Sequence, residues 1–174
     1  MGTDQSIIIR PFAGPDAAQV RDLFVRVNRS LSPPHMVDAF ESYIVRSLRE
    51  EIDRIAAYYG ETHGGFWVAV DGTRVVGMFG LERIAAGAME LRRMYVDPDA
   101  RRRGIARAML QFAEDECRGR QMRRLDLSTS ELQAAAVSLY ERSGYDSLRE
   151  ETAVTESNKT VGAGLRRFYF TKAL

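Results

Sequence analysis

The chain has 174 residues, of which 45% are hydrophobic and 28% charged, and its formal net charge is +1. This length and composition predict one globular domain, residues 1–174, with enough chain to bury a substantial core. The near-zero net charge gives no reason to expect nucleic acid or an anionic membrane as a partner. The single cysteine, Cys117, excludes an intrachain disulfide and provides no metal cluster, so we predict a small core residue and no metal site.

The N-terminal segment is too polar for a secretory signal peptide, and no stretch approaches the length of a membrane span. We therefore expect a cytoplasmic protein. Arginine dominates the basic residues, since only Lys159 and Lys172 of the 25 are lysine. A run of arginines is consequently a weak indication of an anion site by itself.

The first third of the chain predicts a strand and two helices. The strand covers residues 6–12, and a helix then opens at Pro15 and ends before the Pro33-Pro34 pair. A longer second helix is predicted from about Met36 to Tyr59. Its acidic residues are expected on a solvated face, although they could instead add negative charge near a cationic ligand: Glu41, Glu50, Glu51 and Asp53.

The rest of the chain predicts six strands after the initial one, and two further helices. Asp71-Gly72 is a strong hairpin signal between the first two of these strands. A polar segment before the last strand predicts a mobile loop. The whole order, βααβββαβαββ, predicts a mixed sheet covered by helices. The predicted strands are 66–70, 74–81, 88–96, 124–128, 146–154 and 165–171, and the predicted helices are 105–118 and 131–143.

The third of the central strands changes its apolar parity halfway along. Met89 and Leu91 alternate on one face, whereas Met94 and Val96 alternate on the other. One extra residue around positions 92–93 would reconcile the two pairs, which is what a β-bulge does. The alternative is a regular strand in which one of these side chains is simply exposed.

The loop after this strand has the features of a phosphate-binding site. It carries the pattern R-x-x-G-x-A at a predicted strand-to-helix junction, where a helix leaves its first N–H groups unpaired and carries partial positive charge. Small residues let the backbone approach a phosphate closely. The pattern predicts a main-chain cradle reinforced by arginine, formed by Arg101, Arg102, Arg103, Gly104, Ile105 and Ala106.

Three motifs occur in a set order: the strand ELRRMYV (90–96), the loop R-x-x-G-x-A (101–106) and the helix AVSLYERSGY (136–145). Together they resemble the GNAT superfamily of acetyl-CoA-dependent N-acetyltransferases over about residues 66–145, and LSTSELQAAAVSLY is similar to camello-like members. The resemblance implies a single-domain α/β fold with a mixed, mainly antiparallel sheet, a splayed central strand pair and about four flanking helices. It implies acetyl-CoA as cosubstrate, bound by residues 101–106 together with Met94, Tyr95, Val96, Gln133 and Tyr140.

Acetyl transfer from a thioester to an amine requires a deprotonated amine, aligned reactants, a stabilised oxyanion and a proton for the leaving thiolate. Glu90 is the leading base, because it has the spacing from Gly104 of the strand-four glutamate in histone-type members. A tight pair with Arg92 would lower the pKa of that carboxyl and make it a worse base. Glu82 is the reserve candidate, and a water chain without a dedicated base is the third alternative.

Tyr140 is the leading acid, because a phenol can protonate a departing thiolate and the family places this tyrosine beside the cofactor sulfur. Its alternative role is a core aromatic within the helical stripe of residues 132–140. The resemblance also implies that a backbone N–H near the bulge, of Met94 or Tyr95, stabilises the oxyanion. The two histidines, His35 and His63, are expected in surface loops.

One position departs from the family pattern, since Gln133 stands where many members have asparagine. Ser130 and Gln133 form S-x-x-Q, the pattern of a capping box, and we favour that local interpretation. The contact from Gln133 to the pantetheine that the resemblance implies therefore stays open.

The sequence thus predicts an enzyme that moves the acetyl group of acetyl-CoA directly to a primary amine of a small molecule or peptide. The alternative from another class is a non-catalytic acyl-CoA-binding regulatory module. A dinucleotide-binding domain is disfavoured, because the loop lacks the G-x-G-x-x-G spacing. The last strand, LRRFYFT (165–171), alternates apolar and aromatic residues, and as an exposed edge it would favour a homodimer.

Overall fold

The structure is a computed structural model that describes residues 6–174. Seven strands and five α-helices occur in this range, in the order βαααβββαβαββ. The strands are β1 (Ile8–Pro11), β2 (Gly65–Asp71), β3 (Arg74–Ala85), β4 (Ala88–Val96), β5 (Arg124–Ser130), β6 (Asp146–Ala153) and β7 (Leu165–Ala173). The helices are α1 (Ala17–Leu31), α2 (Val37–Glu50), α3 (Ile55–Glu61), α4 (Ile105–Gly119) and α5 (Ala134–Arg142).

The seven strands form one sheet in the order β1-β2-β3-β4-β5-β7-β6. All neighbours are antiparallel except β4 and β5, which pair in parallel from Ala88↔Arg124 to Leu91↔Leu127. Beyond Leu91 and Leu127 both strands continue without pairing to each other, so the sheet forks. The predicted mixed, mainly antiparallel sheet with a splayed central pair is confirmed.

Helices cover both faces of the sheet. On one face α1, α2 and α3 pack a cluster that includes Phe24, Ile44 and Val68. On the other face α4 and α5 pack a second cluster that includes Met109 and Leu125. The central strands are consequently buried on both sides. Burial of apolar surface is the main driving force for this layered packing. No helix in the described part of the chain is both long and apolar enough to cross a bilayer.

The single long helix predicted over Met36–Tyr59 is wrong. Helix α2 ends at Glu50, Glu51 leaves the helical conformation with φ −140° and ψ −61°, and one 3-10 turn at Ile52–Arg54 precedes α3. The apolar spacing continues through the break, because both segments pack on the same face of the sheet. The periodicity therefore predicted the buried face correctly and missed the interruption.

Glu51 is also the exception to the predicted solvated acidic face. Its carboxylate is fully buried, and its Oε2 accepts hydrogen bonds from Arg92 (2.7 Å) and from Arg93 (2.6 and 2.9 Å). The Tyr59 hydroxyl donates to Oε1 at 2.5 Å. Burial by itself would raise the pKa of Glu51, but the two guanidinium groups outweigh it and lower that pKa to about 2. The helix break thus places one carboxylate under two strand arginines.

The prediction that the last strand is an exposed edge is wrong. Strand β7 lies inside the sheet, between β5 and β6, and the edges are β1 and β6. The alternating apolar pattern of β7 has a different cause, because Phe170 belongs to the core cluster beneath α4 and α5. The homodimer loses this support and, like the cytoplasmic location, stays a prediction.

Three isolated residues behave as expected. Cys117 is fully buried in the α4 core face, and burial raises the pKa of its thiol to about 12, so it remains a protonated thiol at neutral pH. His35 and His63 are exposed, at a turn before α2 and in the turn after α3. None of the three takes part in the cavities described below.

We expect Glu51→Gln to lower the free energy of unfolding by about 3–5 kcal/mol, because it removes the nearest counter-charge of two buried arginines. The matched control is Glu50→Gln, one residue earlier. Glu50 makes only long contacts of 3.5–3.6 Å with exposed Arg46 and Arg49, so a change of less than about 0.5 kcal/mol is expected. Urea unfolding followed by circular dichroism measures both. Equal losses in the two variants would contradict the importance of the buried cluster.

Comparison of wild type with Glu51→Gln across pH gives a second test. The pKa of Glu51 is about 2 in the folded protein and 4.5 is its ordinary value, so its contribution to stability is complete above pH 4.5 and is lost as the pH falls towards 2. The stability difference between wild type and Glu51→Gln should therefore shrink over this range. A difference that stays constant between pH 7 and pH 3 would show that the charge of Glu51 contributes nothing.

Candidate active site

The fork between β4 and β5 opens into a groove of about 1030 Å³, here called the fork groove. Its walls are the end of β4, the start of α4 and the start of α5. The lining also includes Glu114, Val27 and Leu132. Most of the predicted cofactor-binding residues line it: Met94, Tyr95, Val96, Arg101, Arg102, Gly104, Ile105, Ala106 and Gln133.

A buried aspartate fixes the chain where it leaves β4. Asp97 is fully buried and accepts hydrogen bonds from Arg74 at 2.7 Å, from Arg26 at 3.1 Å and from the backbone N–H of Asp99 at 3.0 Å. Burial alone would raise the pKa of Asp97, but these hydrogen bonds and the arginine charges lower it. The loop that carries Arg101 thus starts from a rigid point.

The loop ends at an uncapped helix N-terminus. Gly104 is the N-cap of α4 with φ +74°, and no side chain accepts a hydrogen bond from the first turn. An added Cβ at Gly104 would meet no atom within 4 Å, so the left-handed backbone and not crowding accounts for glycine here. The first-turn amides of α4 therefore remain available to an anion.

The three arginines of the loop do not all face the fork groove. Arg101 and Arg102 line the fork groove, and Arg102 has φ +64°. Arg103 does not line it, because its Nη1 lies 2.7 Å from Oδ2 of Asp71 in the β2–β3 hairpin. The sequence prediction treated the three alike, and the tertiary contact separates Arg103 from the others.

The predicted β-bulge is present in β4. Met78 pairs with Tyr95 and Gly80 pairs with Arg92, so Phe79 alone faces both Arg93 and Met94. Arg93 has φ +54°, its side chain is buried against the ring of Phe24, and it meets Glu51. Met94 instead lines the fork groove, so the bulge sends neighbouring side chains to opposite sides of the strand.

A second, smaller cavity of about 90 Å³ adjoins the groove, and we call it the inner cavity. It shares Leu31, Met94, Tyr95 and Gln133 with the fork groove, which places the junction at the bulge. It holds several water molecules at most. Its lining brings together Glu90 of β4, Tyr140 of α5 and Lys159 and Asn158 of the segment before β7, with Ser128 and Arg167 opposite.

Glu90 lies in this cavity beside two cations. Its Oε1 is 3.0 Å from Nζ of Lys159 and 3.5 Å from Nη1 of Arg92. The tight pair with Arg92 considered from the sequence is only a 3.5 Å contact, and Lys159 is the nearer partner, which sequence reasoning missed. One sequence feature could have drawn attention to Lys159, namely the rarity of lysine in this chain.

Glu82, the reserve base, lies next to Glu90 across the β3–β4 ladder. Its side chain is only 8% exposed, Tyr58 donates to its Oε2 at 2.7 Å, and Lys159 approaches its Oε1 at 3.1 Å. Glu82 does not line the inner cavity. Of the two carboxylates, Glu90 is the one open to a ligand there.

The position of Tyr140 is compatible with both roles that the sequence left open. Its ring packs on Tyr145 and Phe170, each with a centroid distance of 5.9 Å, and it also lines the inner cavity. Among residues 6–174 no group is hydrogen-bonded to its hydroxyl. Burial raises the pKa of Tyr140 well above its ordinary value, which keeps the phenol protonated.

The capping box predicted for Ser130 and Gln133 does not form. Ser130 is the last residue of β5, and Gln133 itself is the N-cap of α5, with no side-chain cap. The Gln133 Oε1 accepts a hydrogen bond from Thr129 Oγ1 at 3.1 Å, and the side chain lies at the junction of the two cavities. The prediction is wrong because the strand extends further than the sequence indicated.

Comparison with known structures agrees with this fold. PaiA N-acetyltransferase from Thermoplasma acidophilum, solved in complex with coenzyme A, has the same fold, with a TM-score of 0.72 at 18% identity over 97% of this chain and 99% of that one. A GNAT-family acetyltransferase from Staphylococcus aureus Mu50 also gives a TM-score of 0.72 at 18% identity, over 94% and 98% of the two chains.

Residues 21–145 match the acetyltransferase (GNAT) family, and the chain belongs to that family. N-acetyltransferase family 8 member 2 from Rattus norvegicus is 28% identical over 138 residues, which are 76% of this chain and 60% of the relative. N-acetylaspartate synthetase from Danio rerio is 33% identical over 131 residues, 74% of this chain and 46% of the relative. The chain thus spans 46–60% of the length of these two curated relatives. The resemblance seen in the sequence is confirmed.

Proposed function

We propose that this protein is an N-acetyltransferase that transfers the acetyl group of acetyl-CoA directly to a primary amine of a small molecule or peptide. The observation that carries the proposal is the junction of the fork groove with the inner cavity. A groove that starts at an uncapped helix N-terminus leads to a cavity that contains a carboxylate and a free phenol. The N-acetyltransferase relatives and the coenzyme A complex of a structural neighbour support it.

In this proposal the first-turn amides of α4 hold the pyrophosphate, with Arg101 and Arg102 alongside. Arginine suits this role, because its planar fork matches phosphate oxygens. Arg103 contributes its backbone only, since its side chain pairs with Asp71. The pantetheine follows β4 at Met94, Tyr95 and Val96, with Ile105, Ala106 and Gln133 on the facing walls.

The inner cavity supplies the chemical groups. Glu90 receives the proton of the acceptor ammonium, and the neutral amine attacks the thioester carbonyl. The backbone N–H of Met94 stabilises the oxyanion, because Met94 lies in the bulge and has no residue paired opposite it in the β3–β4 register. Tyr95 is the weaker candidate, since it pairs with Met78. Tyr140 then protonates the departing thiolate.

Turnover separates this enzyme from a binding module. Full-length protein with acetyl-CoA and a panel of primary amines should release free thiol at a rate that depends on the amine. Coenzyme A binding without acetylation of any amine would instead favour the regulatory module. Amines that carry carboxylate, neutral and cationic substituents should all be included, because Glu90, Lys159 and Arg167 give the cavity both signs of charge.

The first prediction from this proposal concerns the cradle. Gly104→Val should weaken coenzyme A binding about tenfold or more, a loss of about 1.4 kcal/mol, because valine disfavours the left-handed backbone that directs the amides. Gly87→Val is the matched control, since Gly87 has φ +71° but lies in the turn before β4, away from the groove. Calorimetry with coenzyme A measures both. Equal affinity of the two variants would argue against the cradle.

The second prediction concerns Glu90. Glu90→Gln keeps the shape and removes the base, so kcat/KM should fall on the order of 10²-fold near neutral pH. Much of the activity should return at high pH, where the amine loses its proton without help. Glu82→Gln should cost less, because Glu82 lies outside the cavity. An unchanged pH–rate profile for Glu90→Gln would assign the base to Glu82 or to water.

The third prediction concerns Tyr140. Tyr140→Phe should keep coenzyme A affinity within a few-fold and lower turnover, with little rescue at high pH because the missing group is an acid. Tyr145→Phe is the control, since this neighbouring phenol donates to Glu114 at 3.1 Å and lines neither cavity. Steady-state rates across pH distinguish the two. Wild-type turnover in Tyr140→Phe would leave the tyrosine with a packing role alone.

A further inference from the structure

Lys159 places a primary amine at the site where the proposed reaction needs one. It is one of two lysines in the chain. Its Nζ lies 3.0 Å from the Glu90 carboxylate and 3.1 Å from that of Glu82, and the side chain lines the inner cavity with Tyr140. We propose that Lys159 is a site of self-acetylation, an inference that rests on the proposed function.

The segment that carries Lys159, residues 154–164, is anchored beside the site. This is the loop that the sequence predicted to be mobile. Arg93 donates a hydrogen bond to the carbonyl oxygen of Asn158, Ser157 and Thr160 form an isolated β-bridge, and Val161 is buried in the core with α1 and α2. The backbone on both sides of Lys159 is therefore fixed, and its side chain lines the inner cavity.

The other lysine provides a natural comparison. Nζ of Lys172 contacts both oxygens of the buried Glu114 carboxylate, at 2.9 and 3.0 Å, and the carbonyl oxygen of Ser143 at 2.9 Å. All three ammonium protons thus have acceptors, and neither Glu90 nor Tyr140 is among its contacts. Within residues 6–174 the Nζ of Lys159 is paired only with the carboxylates of Glu82 and Glu90, and 47% of its side chain is exposed.

The step is balanced with the groups already described. Glu90 takes one proton from the Lys159 ammonium, and the neutral Nζ attacks the carbonyl carbon of the thioester. The N–C bond forms, the C–S bond breaks, and the thiolate leaves with a proton from Tyr140. The second proton lost by Nζ returns to the Tyr140 phenolate, and Glu90 releases its own to solvent. One proton is released to solvent overall, and the products are acetyl-lysine and coenzyme A.

Acetylation would remove the nearer of the two cations beside Glu82 and Glu90, leaving Arg92 at 3.5–3.6 Å. The amide of acetyl-lysine carries no charge and has a single N–H to donate, so both ion pairs would be lost. The modified side chain would also be bulkier inside a cavity of about 90 Å³. We therefore expect the modification to change how external amines gain access to Glu90.

The test is to incubate the full chain with acetyl-CoA and no added amine, and to follow intact mass and peptide maps over time. One acetyl group should appear at Lys159, and the Lys172 peptide in the same digest should stay unmodified. The rate constant should not depend on protein concentration, because the lysine lies in its own molecule's cavity. Lys159→Arg, which keeps a cation there, should lose the modification, and Glu90→Gln should slow it on the order of 10²-fold.

Heat-unfolded protein with the same acetyl-CoA gives the rate of uncatalysed acetylation. Equal rates for folded and unfolded chains, or modification of Lys172 in place of Lys159, would overturn the inference. A protein that acetylates an external amine and leaves Lys159 unmodified would refute self-acetylation alone. A protein that binds coenzyme A and acetylates neither Lys159 nor any amine would refute the proposed function as well.

Discussion

One buried carboxylate holds the centre of this structure together. Glu51, at the break between α2 and α3, lies between the guanidinium groups of Arg92 and Arg93. A buried charge of this kind is tolerated only when it is paired and hydrogen-bonded, so the cluster fixes the position of the helical layer relative to the strand. Tyr59 completes the cluster, and its hydroxyl reaches Glu51 over Gly80, a position where a side chain would collide with the tyrosine ring.

The bulge in β4 depends on this cluster and in turn positions the site. Arg93 adopts a left-handed backbone, which is costly for a residue with a side chain, and its buried contacts with Glu51 and the ring of Phe24 offset that cost. Because Arg93 points towards the helices, Met94 points into the fork groove. The same arginine holds the carbonyl of Asn158, and this brings Lys159 to Glu90. The proposed site and the stability of the fold thus depend on the same set of contacts.

In the proposed function the fork groove acts mainly through main-chain groups and the inner cavity through side chains. In the fork groove the amides of an uncapped helix and the end of β4 serve as the binding surface, so substitution of most individual side chains there should change affinity gradually. In the inner cavity a few side chains have defined partners, and single substitutions should change the pH dependence of turnover. The inner cavity is small, and residues 158–161 of the 154–164 segment form part of its lining.

The sequence by itself determined the order of the elements except for the break between α2 and α3, the buried faces of the helices, the bulge and the loop at residues 101–106. These features follow from local rules, namely side-chain periodicity, strand parity and the unpaired amides of a helix N-terminus. Only the tertiary structure decided that Glu51 is buried, that β7 is an interior strand, that Arg103 pairs with Asp71, and that Lys159 reaches Glu90. Each of these features depends on a partner that is distant in the chain. The local sequence pattern around an acidic residue or a strand does not reveal whether its partner is water or another part of the protein.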